Sequence, residues 1–155
     1  MTSPRRVASY AACRGEIDPR PLLDGWGLDD GAIALPRVTD AGLEFVTGWH
    51  RLEPQAFGIT EPIDGTPTTL ADVDVVLVPV VAFDINGNRL GHGHGYYDRA
   101  LAAVMNTDPR PLLVGLAYDE QQLDEIAPDE WDIPLDMIIT PTRVIDVGGA
   151  ASGRS

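Results

Sequence analysis

Short runs of apolar residues, separated by glycine, proline and acidic residues, divide the chain into a series of short elements. The strongest run spans residues 73–80 and is almost continuously apolar, which is typical of a parallel strand covered on both faces. Other apolar or alternating runs predict further strands at residues 5–12, 32–36, 43–46, 112–118 and 137–140.

Turn-forming and capping residues place the helices between these strands. Pro19 at the first position and Asp18 as the capping residue predict a short helix that runs to about Trp26. Further helices are predicted from about Tyr96 to Met105 and over residues 121–126. Residues 55–69 contain two glycines and two prolines, so this segment is predicted to be mostly loop.

The order of the elements predicts the fold class. Strands alternate with helices, which indicates an α/β protein with a mostly parallel sheet, helices on both faces and a Rossmann-like layered architecture. Ligands in such sheets bind at the carboxyl ends of the strands. The loop over residues 84–95, Glu16 and the turn at residues 118–122 are therefore expected at one rim of the sheet.

Composition and charge exclude several classes of partner and mechanism. The chain has 155 residues, 44% of them hydrophobic, and we expect one domain over residues 5–145, with tails at 1–4 and 146–155, the latter flexible. The net charge of −13 argues against nucleic acid or an anionic membrane as a partner. All eleven basic residues are arginine, which excludes a lysine amine from the mechanism. The sequence shows no signal peptide and no apolar run of about 20 residues, which predicts a cytoplasmic location.

The most informative stretch is Arg-Leu-Gly-His-Gly-His-Gly-Tyr-Tyr-Asp-Arg, over residues 89–99. Its three glycines let a ligand approach the backbone closely, and a predicted helix begins directly after them. A strand, a Gly-rich turn and a helix form the arrangement that holds phosphates in α/β proteins. The same stretch also suits a plain flexible hairpin, and the pattern alone leaves both interpretations open.

The charged residues of this stretch each have two interpretations. Arg89 precedes the glycines. It either binds a phosphate through two N–H groups of its guanidinium or is an ordinary surface charge. Arg99 suits a phosphate contact and a structural salt bridge equally. Asp98 either stabilises the start of the helix or holds Mg²⁺ that is shared with phosphate oxygens.

The histidines and tyrosines add a smaller signal. His92 and His94 have a spacing that suits Zn²⁺ or Cu²⁺, but the chain has one further histidine and no nearby cysteine. Hydrogen bonding to a phosphate is the interpretation we favour for them. Helical spacing places one of Tyr96 and Tyr97 toward the core and leaves the other to stack on a planar ligand.

Motifs spread over residues 5–142 connect this stretch to the rest of the chain. They are Tyr10 with Gly15 to Asp18, Phe57 to Pro62, Val78 to Asp84, Gly87 to Arg99, Gly115 to Tyr118 with Gln121, and Trp131 to Asp136. Together they resemble the signature of the 5-formyltetrahydrofolate cyclo-ligase family.

The resemblance implies an enzyme that converts 5-formyltetrahydrofolate to 5,10-methenyltetrahydrofolate with ATP and Mg²⁺, releasing ADP and phosphate through an N5-iminium phosphate intermediate. Phosphoryl transfer depends on positioning and charge neutralisation rather than on a protein nucleophile. The absence of lysine from the sequence is therefore compatible with this chemistry.

The resemblance also implies which positions form the site. Arg89 and Tyr96 are the predicted catalytic residues, and Asp98 and Asp132 are the predicted Mg²⁺ ligands. The predicted ATP-binding residues are Arg89, Leu90, Gly91, His92, Gly93, His94, Gly95, Tyr96 and Tyr97. The predicted folate-binding residues are Ala11, Glu16, His92, Gly93, His94, Gly95 and Tyr96.

The resemblance further implies a helical segment ahead of the first strand, carrying a lysine and an arginine that contact ATP, and this sequence lacks it. Three alternatives follow: an incomplete start, a shortened enzyme that covers the exposed face by forming a homo-oligomer, or a relative that binds nucleotide or folate without turnover. The leading expectation is the enzyme, with 5-formyltetrahydrofolate and ATP as its partners.

Overall fold

The structure is a computed structural model, and it describes residues 3–13, 15–55, 60–91 and 95–147. The strands are β1 (Val7–Ala8), β2 (Ile33–Thr39), β3 (Gly42–Thr47), β4 (Leu52–Pro54), β5 (Thr60–Pro62), β6 (Thr66–Thr68), β7 (Val75–Pro79), β8 (Ala82–Phe83), β9 (Arg89–Leu90), β10 (Leu112–Leu116), β11 (Met137–Ile139) and β12 (Val144–Asp146). The described α-helices are α1 (Arg20–Gly25) and α2 (Tyr96–Ala102).

An eight-stranded sheet forms the centre of the fold, in the order β12-β11-β10-β7-β1-β2-β3-β6. The strands from β11 to β2 in this order are parallel to one another. Antiparallel strands close both edges, β12 on one side and β3 with β6 on the other. The predicted α/β class is confirmed, and the sheet is a mixed one with a parallel centre.

Alternating side chains of the central strands supply two separate hydrophobic cores. In β7, Val76 and Val78 belong to one core, whereas Val75 and Leu77 belong to the other. This is the period of two expected for a strand covered on both faces. Leu101 of α2 packs into the first core and Leu23 of α1 into the second, so a helix covers each face.

The elements predicted from long apolar runs are confirmed with shorter bounds. The run at 73–80 forms β7, which is buried throughout, and the run at 112–118 forms β10. Helix α1 begins at Arg20 with Pro19 as its N-cap residue, one position later than predicted. The Asp18 carboxylate still accepts the Arg20 N–H at 2.9 Å.

The predicted helix over residues 121–126 is wrong. A 3-10 turn occupies Asp119–Gln121, Gln122 is extended, and residues 123–126 form no helix. Tertiary contacts explain the difference, because Gln122 bridges to Phe83 and the Leu123 N–H donates to the Phe83 carbonyl at 2.7 Å.

Residues 55–69 contain more structure than predicted. β5 pairs with β4, and β6 pairs with β3 at the sheet edge. Pro67 is compatible with β6 because an edge strand leaves one side without ladder partners. The β8–β9 hairpin and β12 were not predicted either, because strands of two or three residues carry no periodic signal of their own.

The 118–122 turn, one of the segments expected at the rim, is joined to the residues that lead toward the 84–95 loop. The side-chain amide of Gln121 donates to the carbonyls of Val80 and Val81, at 2.9 and 3.0 Å, just after β7 ends. This contact holds the 118–122 turn against the segment that leads into the β8–β9 hairpin. Among the described residues, no helix is both long and apolar enough to cross a membrane.

Candidate active site

The β8–β9 hairpin positions Arg89, and its turn is organised by a buried carboxylate. Asp84 is fully buried and accepts the backbone N–H groups of Asn86 and Asn88 at 3.0 and 3.1 Å, and the Asn88 amide at 3.1 Å. Burial acts to raise the pKa of Asp84, but its hydrogen bonds outweigh burial and hold the pKa below the ordinary value. The turn that precedes Arg89 is therefore fixed from inside.

The same turn is attached to the segment that carries Asp132. The Ile126 N–H donates to Asp84 at 2.9 Å, and the Leu135 N–H donates to the Gly87 carbonyl at 2.9 Å. Gly87 has a φ of +86°, and a Cβ there would lie 2.6 Å from the Leu135 carbonyl oxygen. Glycine is required at this turn both for its backbone angle and for the close approach.

Arg89 is a buried cation with few partners. Its side chain is 7% exposed, its Nη1 lies 3.4 Å from the Pro79 carbonyl, and its guanidinium carbon lies 5.8 Å from the Tyr97 ring centre. The buried Nε has no hydrogen-bond partner in the part of the chain that the structure describes. Burial lowers the pKa of Arg89, and the charges of Asp98, Tyr97 and Asp132 act against that. The guanidinium remains a cation, since its pKa starts so high.

One predicted metal ligand, Asp98, lies beside this cation, and it contacts the residue that follows the other, Asp132. Asp98 Oδ2 is 3.8 Å from Arg89 Nη2, and Asp98 Oδ1 accepts the Ile133 N–H at 3.1 Å. Asp132 directly precedes Ile133, and its carboxylate accepts the Asp129 N–H at 2.9 Å. The fold therefore brings together a residue of α2 and a residue far along the chain, a proximity that sequence spacing alone does not predict.

Tyr97 is the tyrosine that faces the core. Its ring meets the Phe45 ring edge-on at 6.4 Å between centres, and burial, followed by the Glu16 charge, raises the pKa of its hydroxyl. Tyr96 instead contacts Arg99, whose guanidinium carbon lies 5.2 Å from the ring centre. Tyr96 and Arg99 line an open pocket of about 550 Å³ beside the β2–β3 turn. The prediction that one tyrosine faces inward is confirmed.

The predicted folate-side residues lie in the loop after β1. Glu16 accepts the Cys13 N–H at 3.0 Å, and the Cys13 carbonyl accepts the Glu16 N–H at 3.0 Å, which closes a tight turn. Ala11 lies in the same loop. The negative charge of Glu16 contributes to the raised pKa of the Tyr97 hydroxyl at the start of α2.

The glycine-rich loop is described only at its two ends. The Leu90 carbonyl accepts the Val81 N–H at 2.9 Å, and a Cβ at Gly91 would lie 2.6 Å from Arg89 Nη1. Gly95 has a φ of +69° directly before α2. The predicted positions His92, Gly93 and His94 lie outside the described residues, as do positions 57–59 of the Phe57 to Pro62 motif.

A family model described as the 5-formyltetrahydrofolate cyclo-ligase family matches residues 1–141. The chain belongs to this family. It is similar to the 5-formyltetrahydrofolate cyclo-ligase of Escherichia coli, with 35% identity over an alignment of 147 residues that covers 89% of this chain and 79% of that relative.

Two solved structures agree with this assignment. The NMR structure of the 5,10-methenyltetrahydrofolate synthetase from Aquifex aeolicus matches with a TM-score of 0.76 and 36% identity, over 95% of this chain and 74% of that one. The 5,10-methenyltetrahydrofolate synthetase from Mycoplasma pneumoniae matches with a TM-score of 0.64 and 26% identity, over 88% and 73% of the two chains. The predicted cyclo-ligase family and enzyme class are confirmed.

Within this cyclo-ligase fold, sequence reasoning missed the residues that support the site. Asp84 and Gln121 stood in the quoted motifs without a role, yet they fix the hairpin and the neighbouring turn. The Asp-Ile-Asn-Gly-Asn run over residues 84–88 carries the signal for Asp84, because an Asp ahead of Asn and Gly commonly bonds its own turn. No local signal identifies Gln121, whose acceptors lie about forty residues earlier.

Proposed function

We propose that this chain converts 5-formyltetrahydrofolate to 5,10-methenyltetrahydrofolate with ATP, releasing ADP and phosphate. The observation that carries the nucleotide assignment is the buried Arg89 guanidinium, whose Nε has no hydrogen-bond partner in the described residues. A buried, under-partnered guanidinium at the end of a hairpin suits a bidentate phosphate contact. Family membership supports the folate half of the assignment.

The proposed reaction balances without a protein nucleophile. The formyl oxygen attacks the γ-phosphorus, the bond from that phosphorus to the bridging oxygen breaks, and ADP leaves. N10 of the folate then attacks the formyl carbon and loses its proton, and the carbon–oxygen bond breaks. Inorganic phosphate leaves with the former formyl oxygen. The protein has to align the substrates and neutralise charge, since an amide oxygen leaves readily only once it is phosphorylated.

Asp98 and Asp132 are the residues proposed to hold Mg²⁺. Their oxygen ligands suit this ion, which commonly takes one or two carboxylates together with substrate phosphates. The described residues contain no group of three or more His, Cys, Asp or Glu that could hold a metal alone, so substrate oxygens would complete the set. When bound, Mg²⁺ would neutralise charge on the phosphates.

On the folate side, Glu16 is proposed to accept hydrogen bonds from the N–H groups of the reduced ring. The Cys13 N–H fixes one of its carboxylate oxygens at 3.0 Å. Tyr96, with the positions from His92 to Gly95 and the backbone at Ala11, is proposed to complete the folate contacts. Arg89 and Tyr96 are the proposed catalytic residues, with Arg89 stabilising charge on the transferring phosphoryl group. The proposed ATP contacts continue from Arg89 along the glycine-rich loop to Tyr97.

The test is the appearance of methenyltetrahydrofolate absorbance when the protein is mixed with 5-formyltetrahydrofolate and MgATP. We expect product only when both substrates are present, and a loss of about 10²-fold or more in kcat for Asp98→Ala. Asp24→Asn is the matched control, because Asp24 is exposed on α1, which packs on the other face of the sheet. Folded protein that binds ligands without turnover, or full activity in Asp98→Ala, would overturn the proposal.

A further inference from the structure

Among the residues that the structure describes, Arg89 finds an incomplete set of hydrogen-bond partners for a buried cation. A guanidinium offers five N–H donors. Here the hydrogen bond to Pro79 is long at 3.4 Å, and the ion pair with Asp98 at 3.8 Å exceeds hydrogen-bonding distance. With the side chain only 7% exposed, the surrounding water is largely excluded as well. The side chain is therefore held by charge rather than by a completed set of hydrogen bonds.

The carboxylates that supply this charge are the proposed metal ligands. Asp98 directs one oxygen to the Ile133 N–H and the other toward Arg89. Asp132 precedes Ile133, so it adjoins the residue that Asp98 contacts, and its charge acts on the same guanidinium. One buried cation and two carboxylates give this cluster a net charge of −1, which repels a free anion.

We propose that Asp98 and Asp132 hold Arg89 in the ligand-free protein, and that nucleotide phosphates and a divalent cation replace this pairing together. Arg89 then binds the phosphate, and the two carboxylates bind the cation. This inference rests on the proposed function and adds to it that the two ligands bind with strong mutual dependence.

The dependence follows from the charges. Without the cation, the phosphates meet two carboxylates at the place where Arg89 should hold them. Without the phosphates, the cation meets the positive charge of Arg89. Each ligand removes the repulsion that opposes the other, which is a positive coupling between two binding events.

Neutralising one carboxylate should therefore change nucleotide affinity in opposite directions under two conditions. In EDTA, Asp98→Asn should bind a non-hydrolysable ATP analogue more tightly than wild type, by about 5-fold or more, because a repulsive charge is gone. In excess Mg²⁺, the same variant should bind the analogue more weakly than wild type by a similar factor, because a cation ligand is gone. A purely structural role for Asp98 predicts weaker binding in both conditions.

Isothermal titration calorimetry of the analogue onto wild type, Asp98→Asn, Asp132→Asn and Asp24→Asn tests this. Comparing variants in the same buffer removes the contribution of metal–nucleotide association in solution. Asp24→Asn carries the same charge change on the exposed surface of α1 and should behave like wild type in both conditions. Asp132→Asn should show the same reversal of the affinity change between EDTA and Mg²⁺ as Asp98→Asn. It replaces Asp98→Asn in the experiment if that variant does not fold.

Affinity that falls in both conditions, or that changes in neither, would overturn the proposed exchange of partners. Turnover of 5-formyltetrahydrofolate is measured separately by product absorbance. The proposed function can therefore fail while the reversal is observed, and the reversal can fail in an active enzyme. A wild-type protein that binds no nucleotide in either condition would overturn both.

Discussion

At the scale of single residues, the buried charges differ in how completely they are satisfied. Asp136 accepts two hydrogen bonds from Arg110, at 2.9 and 2.7 Å, and one from the Leu113 N–H at 2.8 Å. Among the described residues, Arg89 has only long contacts, and its Nε has no hydrogen-bond partner. The sequence predicted Arg89 as a ligand residue, but its burial depends on the surrounding fold and was not predictable.

This contrast predicts that replacing each of the two arginines by methionine lowers the stability by different amounts. Arg89→Met should leave the free energy of unfolding within about 1 kcal/mol of wild type, because an under-satisfied buried charge contributes little. It should still abolish turnover. Arg110→Met should cost about 3–5 kcal/mol, since it removes the cation and two hydrogen bonds that compensate the buried Asp136 carboxylate. Urea unfolding measures both, and an equal loss of stability in the two variants would refute the contrast.

Asp84 should contribute a pH-dependent part of the stability. Its pKa is lower in the folded protein than the unfolded value of about 3.9, so its contribution is present above that pH and is lost as the pH falls through the folded value. Asp84→Asn should be less stable than wild type by about 1–3 kcal/mol at pH 7. The difference should shrink below about pH 4. Unfolding curves over a pH series would show a constant difference if the account of Asp84 is wrong.

At the scale of elements, the secondary-structure predictions were confirmed where the local sequence alone specifies the element. Long apolar runs such as residues 73–80 specify a strand by themselves, and β7 formed there. The β8–β9 strands pair locally, but the turn between them is fixed by hydrogen bonds from Ile126 and Leu135. The segment after Gln121 likewise depends on a distant contact, with Phe83. Since these elements support Arg89 and Asp132, the support of the site was the least predictable part of the fold.

The turn between β8 and β9 allows a prediction about the stability of glycine variants. Gly87→Ala should be more destabilising than Gly27→Ala, although both glycines have positive φ, +86° and +71°. A Cβ at Gly27 meets no atom within 4 Å, whereas one at Gly87 meets the Leu135 carbonyl at 2.6 Å. We expect a loss of about 1 kcal/mol for Gly27→Ala from backbone strain alone. Chemical unfolding should show a larger loss for Gly87→Ala, and equal losses would contradict the close approach.

At the scale of the whole molecule, the site joins parts of the chain that are far apart in sequence. Glu16 follows β1, Arg89 and Asp98 flank the glycine-rich loop, and Asp132 lies near the last strands. The protein carries a net charge of −13, so the positive charge of Arg89 is a local exception in a repulsive field. Sequence spacing predicted the neighbourhood of Arg89 and Asp98, whereas the position of Asp132 followed from the family resemblance alone.

A ligand that connects these segments should stabilise the entire fold. An ATP analogue with Mg²⁺ at about one hundred times its Kd should add about 2.7 kcal/mol, which is a rise in Tm of about 5–10 °C for a domain of this size. Differential scanning fluorimetry should show this shift in wild type and in Asp24→Asn, and no shift in Arg89→Met. A shift of full size in Arg89→Met would place the nucleotide elsewhere.

The most direct test of the central claim follows one oxygen atom. 5-Formyltetrahydrofolate labelled with ¹⁸O in the formyl group is incubated with the protein and MgATP, and the inorganic phosphate is analysed by mass spectrometry. Phosphoryl transfer to the formyl oxygen predicts one labelled oxygen in each phosphate released, with one methenyltetrahydrofolate and one ADP formed alongside it. Unlabelled phosphate, or the absence of methenyltetrahydrofolate from a reaction that contains folded protein and both substrates, would contradict the account.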